Sequence, residues 1–288
     1  MQDVAVPIPG GQINVWRRPA QSGQATVVLI HGLSGNSRWW SGVIDLLPRN
    51  LGIMALDLRG RGLSAGAPPP FDLTTVSDDI VRSLDHFEVE RAIVAGYSMG
   101  GWVAALFGVD HADRVQRLVL VDGGFPIPNP EGIAADELID ALVGPSLRRL
   151  EVEFEDLEAF FDYWRGHPAL ASYWDEGMRA GLAHELEQRD GRFVVRANPE
   201  AIRVGATELA IGERPNQAGD RLRVPTHLIV VERGTLDQAE GMIPIAVAET
   251  AAAENPNLTM EYLADVNHYT LVLGAGAPTV AAAIAGTD

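Results

Sequence analysis

Residues 91–109 read RAIVAGYSMGGWVAALFGV. Ala92, Ile93, Val94 and Ala95 form a short apolar run with β-branched members, the pattern of a strand buried on both faces. Over residues 102–109, apolar residues and alanines recur at helical spacing. Between the two lies Gly96-Tyr97-Ser98-Met99-Gly100, a Gly-x-Ser-x-Gly pentapeptide. A reversal this sharp from strand to helix holds Ser98 in a strained backbone conformation. Only small residues fit two positions to either side, and Gly96 and Gly100 stand there. The strain lifts the hydroxyl clear of the sheet. The helix that follows points amide N–H groups, and the positive end of its dipole, at the same place. A serine nucleophile needs this geometry. Glycine and serine are common, so the strand before the pentapeptide and the helix after it carry the specificity.

The chain around this stretch has 288 residues, 47% hydrophobic and 21% charged, which suits one large domain with a smaller insertion. The net charge is −17, and every basic residue is arginine. An acidic surface argues against nucleic acid or anionic membranes as partners. Cysteine is absent, which excludes disulfides, thiolate chemistry and cysteine-ligated metals. Residues 1–16 show no basic region followed by an apolar core, and no apolar run approaches a membrane span. The expectation is a cytoplasmic protein.

Strand patterns recur along the chain, each followed by a helical one. Residues 4–18 read as a hairpin turning at Gly10-Gly11, and residues 25–30 as a buried strand running into His31-Gly32-Leu33. Residues 40–47 have helical spacing. Residues 53–56 form a strand ending in Asp57-Leu58-Arg59-Gly60-Arg61-Gly62-Leu63-Ser64. Residues 73–87 place Val76, Ile80, Leu84 and Phe87 on one helical face. Residues 116–121 form the next strand, with Asp122 at its end. This alternation predicts an α/β fold, a mainly parallel doubly wound sheet. Active sites in such sheets lie beyond the C-terminal strand ends.

The alternation stops after Gly124. Residues 126–130 carry three prolines, and residues 134–189 are acidic, aromatic and helical in pattern. Residues 125–220 are therefore expected to form a helical cap inserted over the sheet edge. Residues 1–124 and 221–288 form the core. In the second part, strands are expected at 225–231 and 258–263, helices at 244–254 and 278–284, and a His268 loop between the last strand and the last helix.

With these motifs in place, the chain resembles the α/β-hydrolase fold superfamily along nearly its whole length. The motifs stand in the family's order: His31-Gly32 after the third strand, Asp57-x-Arg59-Gly60-x-Gly62-x-Ser64 after the fourth, Gly96-x-Ser98-x-Gly100 after the fifth, and Asn267-His268 after the last. The cap matches no family pattern.

Ser98 is the candidate nucleophile, and a serine hydroxyl needs an adjacent base. His268, the only histidine on a loop after the last strand, is the candidate base. His31 shapes its own turn, His86 and His111 lie on helices away from the edge, and His227 starts a strand. His167 and His184, in the cap, are secondary candidates for touching substrate. The backbone N–H groups of Leu33 and Met99 are the candidate oxyanion hole. The acid is open. In most relatives it follows the strand that resumes after the cap, where the loop here reads Glu232-Arg233-Gly234-Thr235-Leu236-Asp237. Asp237 comes about three residues late for that pattern. Asp122, at the preceding strand end, is the first choice, Asp237 the alternative and Glu232 the third. Asp57 is read as structural, tying its turn together with Arg59. Trp39 and Trp40 are candidate pocket walls. Trp164 stands for the cap aromatics at 160–174, which form either a lid over the substrate or a small core of the cap.

The expected chemistry is hydrolysis of a carboxylic ester, lactone or thioester through an acyl-enzyme on Ser98, with a small-molecule substrate and no cofactor or metal. The same residues serve amide or carbon–carbon hydrolysis and a perhydrolase side activity. A ligand-binding protein with a vestigial triad is the reading from another class. The sequence leaves a homodimer open.

Overall fold

The computed structural model describes residues 1–129 and 133–286. Eight strands make the main sheet: β1 (Gln2–Ile8), β2 (Gly11–Arg18), β3 (Thr26–Ile30), β4 (Gly52–Asp57), β5 (Ala92–Tyr97), β6 (Val115–Val121), and, after the hairpin β7 (Leu186–Arg189) and β8 (Arg192–Val195), β9 (Thr226–Arg233) and β10 (Leu258–Asn267). Their spatial order is β1-β2-β4-β3-β5-β6-β9-β10. The two pairs formed by β2, with β1 and with β4, are antiparallel. From β4 through β3, β5, β6 and β9 to β10 every pairing is parallel. The sheet is the mainly parallel one predicted.

Side chains alternate across it, as the pleat dictates. Val28, Ile30, Met54, Leu56 and Val94 enter one core layer. Val27, Leu29, Ile53, Ala55, Ile93 and Ala95 enter the other. Each such fully buried Val, Leu or Ile contributes about 1.5–3 kcal/mol, so the central strands are held from both faces. On the first face pack α2 (Leu73–His86), α3 (Met99–Asp110) and α10 (Ile245–Glu254). On the second pack α1 (Ser41–Leu46), α11 (Thr270–Leu273) and α12 (Ala277–Ala285). Asp72 caps α2 by accepting the Thr75 N–H at 2.9 Å.

Between β6 and β9 the chain forms α4 (Ala135–Leu150), α5 (Leu157–Arg165), α6 (Pro168–Ala171), α7 (Met178–Ala183), α8 (Pro199–Ile211) and α9 (Glu213–Asn216). Pro130, last of the three prolines before this region, lies outside the described residues. The helical expectation needs one correction: β7 and β8 form an antiparallel hairpin. Asp190-Gly191 supplies its turn with two positive φ angles, 50° and 81°, the two-residue solution that suits twisted strands. The aromatics are neither a detached cap core nor a lid. Phe154, Phe160, Phe161 and Trp164 are buried and continuous with Trp39, Trp40 and Tyr97 of the sheet layer. The inserted segment is also tied down by polar bonds. Asn36 Nδ2 donates to the Gly181 carbonyl at 3.2 Å, and Asn267 Nδ2 to the Ala169 carbonyl at 2.8 Å.

Arg59 does not pair with Asp57. Its guanidinium is buried against Asp79 of α2 through Nε and Nη2, and Nη1 donates to the Pro68 carbonyl at 2.9 Å. Burial pushes the Asp79 carboxyl up against the pull of Arg59. Removing one partner strands the other charge. Asp79→Ala is therefore expected to cost about 3–5 kcal/mol, read as a lower urea midpoint; an unchanged midpoint shows that the pair is dispensable.

Candidate active site

Ser98 occupies the reversal between β5 and α3 with φ 54° and ψ −128°. A conformation of that kind costs a non-glycine residue about 1–3 kcal/mol and persists only where its surroundings enforce it. Here they do. A Cβ on Gly96 would stand 2.0 Å from the Gly100 carbonyl oxygen, and one on Gly100 would stand 2.2 Å from that of Ile30. The Ser98 N–H donates to the Val121 carbonyl at 2.9 Å, and its own carbonyl accepts from Gly101 N–H at 2.7 Å. A Cβ on Gly123 would meet the Ser98 carbonyl at 2.2 Å, so the segment after β6 lies directly against the reversal.

Asp122 belongs to that segment. It is fully buried, and its backbone φ is 44°. His268 Nδ1 lies 2.6 Å from its Oδ2. The Met242 and Ile243 amides also donate toward this carboxylate, at 3.4 and 3.3 Å. The imidazole is fixed from the other side too. Tyr97, inside the pentapeptide, donates its hydroxyl to the His268 carbonyl at 3.0 Å, and the rings of the two residues lie 4.9 Å apart. Asp237, the alternative acid, is occupied elsewhere. It accepts from Asn267 Nδ2 at 2.9 Å and lies 3.6 Å from Arg233. Glu232 accepts the Asp265 N–H at 2.8 Å.

Ser98 and His268 line one cavity of about 150 Å³ together with Gly32, Leu33, Trp39, Tyr97, Leu209, Met242 and Tyr269. The expected hydrogen bond between them is not made. Ser98 Oγ is turned to the Met242 thioether sulfur, 4.0 Å away. Catalytic hydrogen bonds commonly tighten only when substrate arrives. The Leu33 and Met99 amides have no hydrogen-bond acceptor among the described residues. Gly32 permits the close approach: a Cβ there would stand 3.0 Å from Ser98 Cβ.

Trp39 does line the cavity, but Trp164 does not. Trp164 is 1% exposed and packs edge-on behind Trp39, at 6.2 Å, and Tyr269, at 5.7 Å. Trp40 is likewise buried in the layer beneath. His167 lines the cavity, and its Nδ1 accepts the Ala169 N–H at 3.3 Å. His184 sits instead 3.6 Å from Asp57. Asp57 accepts from Ser37 N–H, Leu63 N–H and Asn14 Nδ2. Burial alone would raise its pKa, but His184 and the Ser37 amide hold it well below the usual carboxylate range.

Three features of the site carried no sequence signal. Met242 lies in an irregular loop, with its sulfur 4.0 Å from Ser98 Oγ. Tyr97 reads as a core aromatic until its hydroxyl is placed. Glu185 is fully buried; it accepts from Trp39 Nε1 at 2.9 Å, lies 3.2 Å from Arg149, and is pushed up to about 7 by burial. Among the described residues, no three His, Asp or Glu side chains converge as metal ligands, and no helix is long and apolar enough to cross a membrane.

A family model described as the α/β hydrolase fold matches residues 25–150. A Caulobacter sp. (strain K31) protein named for carbamate hydrolysis is 34% identical over 103 residues, 35% of this chain and 38% of its own length. The dihydrolipoyllysine-residue acetyltransferase component of the acetoin cleaving system of Cupriavidus necator (strain ATCC 17699 / DSM 428 / KCTC 22496 / NCIMB 10442 / H16 / Stanier 337) is 29% identical over 248 residues, 85% of this chain and 59% of its own. The chain thus spans less than two thirds of the length of these curated relatives. The crystal structure of E-2-(acetamidomethylene)succinate hydrolase superposes with a TM-score of 0.81 at 21% identity, covering 98% of this chain and 97% of its own. Residues 25–150 thus match the α/β hydrolase fold family, and the whole chain has that fold.

His31, at the head of the Gly32-Leu33 turn, gives a pH prediction. Its Nδ1–H donates to the Gly32 carbonyl at 2.7 Å, and its Nε2 accepts the Leu58 N–H at 3.1 Å. The second bond requires the neutral ring, because a protonated Nε2 cannot accept. Burial chiefly, with a smaller push from the Arg61 charge, moves it down to about 4. Between the ordinary value and 4, the unfolded chain takes up a proton that the native state refuses. The His31 contribution, about 3 kcal/mol, is present above that window and lost as pH falls through it. Glu185 works in the opposite sense near its own value of about 7, so the difference is what counts. Urea midpoints of His31→Gln should depend less steeply on acidification from pH 6.5 to 4 than those of the wild type. Parallel curves would show that His31 is not buried neutral.

A second comparison concerns the acid. Asp122→Asn is expected to lower kcat by up to about 10⁴, by leaving the imidazole without its orienting carboxylate. Asp237→Asn should be mild. The assay is ester hydrolysis by both variants, and the reverse ranking would move the role to Asp237.

Proposed function

We propose that this protein hydrolyses a small carboxylic ester, or a closely related acyl compound, through an acyl-enzyme on Ser98. The observation that supports this most is the meeting at one cavity of a strained serine, an imidazole bonded to a buried carboxylate, and Leu33, whose amide, like that of Met99 next to the serine, has no acceptor among the described residues. His268 Nε2 removes the Ser98 proton as Oγ adds to the substrate carbonyl carbon. The carbonyl oxygen becomes an oxyanion, held by the Leu33 and Met99 N–H groups. Collapse expels the alcohol, which leaves with the proton from His268. A water molecule then adds to the acyl carbon by the same route, releasing the acid and restoring Ser98. Asp122 stays ionised throughout and holds the imidazole in the tautomer that accepts at Nε2. The cycle uses only water and these side chains.

The size and lining of the cavity suit a short acyl or alcohol group. Leu33, Leu209, Leu236, Met242 and Trp39 give it an apolar wall, and Ser34, Ser146, His167 and Tyr269 a polar one. The relative named for carbamate hydrolysis makes amide-type carbonyls the second class to assay beside esters.

Fluorophosphonate labelling and a panel of short esters and amides test the reading. Wild-type protein should take up one label on Ser98 and turn over at least one short ester. Ser98→Ala should lose both while its circular dichroism spectrum is unchanged. An unlabelled wild-type serine would point to a ligand-binding protein with a vestigial triad. Retained turnover in Ser98→Ala would remove the nucleophile assignment.

A further inference from the structure

Arg61 stands at a position of the turn after β4 that the proposed mechanism does not use. It is 1% exposed. Its guanidinium has no carboxylate partner among the described residues. That is unlike Arg59, two residues before it, which is paired with Asp79. Burial pushes Arg61 down to about 9 with no opposing anion, which still leaves it charged near neutral pH. A buried cation without a counter-ion costs several kcal/mol, so its surroundings deserve an explanation in a chain of net charge −17.

Each of its three nitrogens donates a hydrogen bond. Nη1 donates to the Arg59 carbonyl at 2.7 Å and Nη2 to the Ala201 carbonyl at 2.8 Å. Nε donates to the Leu33 carbonyl at 3.0 Å, and Nη2 lies 3.8 Å from Met99 Sδ. The last two contacts are telling. Leu33 and Met99 are the residues whose amides form the proposed oxyanion hole, and one guanidinium touches the carbonyl of the first and the side-chain sulfur of the second. The third partner, Ala201, begins α8 in the inserted segment. Gly205, one turn further on, is where the parts converge: a Cβ there would stand 2.9 Å from Leu33 Cδ1, 2.9 Å from Met99 Sδ and 3.0 Å from Arg61 Nη2.

We propose that Arg61 is a positioning residue for the oxyanion hole: it ties the Leu33 backbone and the Met99 side chain to α8 and holds a positive charge close to the spot where the substrate's oxyanion forms. The inference rests on the acyl-transfer reading above. A cation held in place before the reaction favours the oxyanion over the neutral carbonyl without reorganising as charge develops. Low polarisability around it strengthens the effect. A purely structural arginine would tie the same loops together but would not discriminate between the two charge states. The charge effect therefore belongs to kcat, whereas simple loop-tying belongs to stability.

The experiment compares Arg61→Lys, which keeps the charge, with Arg61→Gln, which keeps a donor and loses the charge. Ester kinetics are measured for both, with urea midpoints alongside. Each protein is also treated with a trifluoromethyl ketone carrying ¹³C at the carbonyl, whose hemiketal adduct on Ser98 reports by NMR the pH at which its oxygen ionises. Arg61→Gln should lose about ten- to a hundredfold in kcat, less than the loss of a whole oxyanion donor, with KM nearly unchanged. Its adduct should ionise at a pH higher by about one unit. Arg61→Lys should recover most of both losses, whatever its urea midpoint. Equal losses in the two variants with an unmoved adduct ionisation would overturn the proposal and leave Arg61 as a loop tie. So would wild-type kcat in Arg61→Gln. If Arg61→Gln fails to fold, Arg61→Lys decides: a wild-type adduct ionisation with retained kcat supports the charge role, and a kcat loss at unmoved ionisation overturns it. Failure of the wild-type protein to form any adduct on Ser98 would instead sink the acyl-transfer reading itself.

Discussion

The backbone of Ser98 is held where an L-residue resists going, and much of the site follows from that. The reversal is enforced by glycines whose missing side chains let Gly100 lie on the β3 end and Gly96 lie under the turn. The same closeness draws in two other segments. Gly32 puts the Leu33 amide beside Ser98, and Gly123 lets the chain leaving β6 cross the Ser98 carbonyl. Asp122 precedes Gly123, so the tight packing that strains the serine also places the carboxylate. Only His268 arrives from elsewhere. It is anchored by Asp122 at its ring and by the Tyr97 hydroxyl at its carbonyl, and both anchors flank the reversal.

Around this centre the sheet edge is unusually polar for a buried region. Asp57, Arg59, Arg61, Asp79, Glu185 and Arg149 are all nearly inaccessible. Such groups are costly unless paired or bonded. Four of them pair, Arg59 with Asp79 and Arg149 with Glu185, and Asp57, Arg59 and Arg61 hold loop backbone. Asp57 gathers two amides and a side-chain amide, Arg61 three carbonyls, and Arg59 a carbonyl besides its aspartate. Loops at a strand edge have no ladder to satisfy their backbone groups, and these charged side chains substitute for one. The edge can then be irregular enough to build a cavity and rigid enough to keep its shape.

Much of this was legible in the sequence because it depends on local chemistry. The pentapeptide announces itself through glycine spacing, the parallel strands through continuous apolar runs, and His268 through its place after the last strand. What was not legible depends on where distant segments settle. Asp57 and Arg59 are two residues apart in one motif, yet they face opposite ways, and Arg59 finds its partner twenty residues on in α2. Trp164 sits in an aromatic stretch that reads equally as wall or filling, and only packing against Trp39 and Tyr269 makes it filling. The hairpin at β7 and β8 hid inside an acidic, helix-like composition; its one local sign was Asp190-Gly191.

The choice between the two candidate acids shows the same limit from a physical side. β6 and β9 are neighbours in the sheet and run in parallel, so an acid at either end is within range of one imidazole. The strands do not end alike. β6 stops at Val121 and turns at once toward Ser98, while β9 continues to Arg233 before a compact loop in which the Gly234 N–H bonds the Gln238 carbonyl. That loop turns Asp237 onto Asn267, the residue before the histidine rather than the histidine. It also delivers the Met242 and Ile243 amides to Asp122. The later loop therefore supplies hydrogen-bond donors to Asp122 instead of a carboxylate to His268. Residue spacing along one strand could not reveal that exchange, because it is settled by the relative lengths of two strands with residues 122–225 between them.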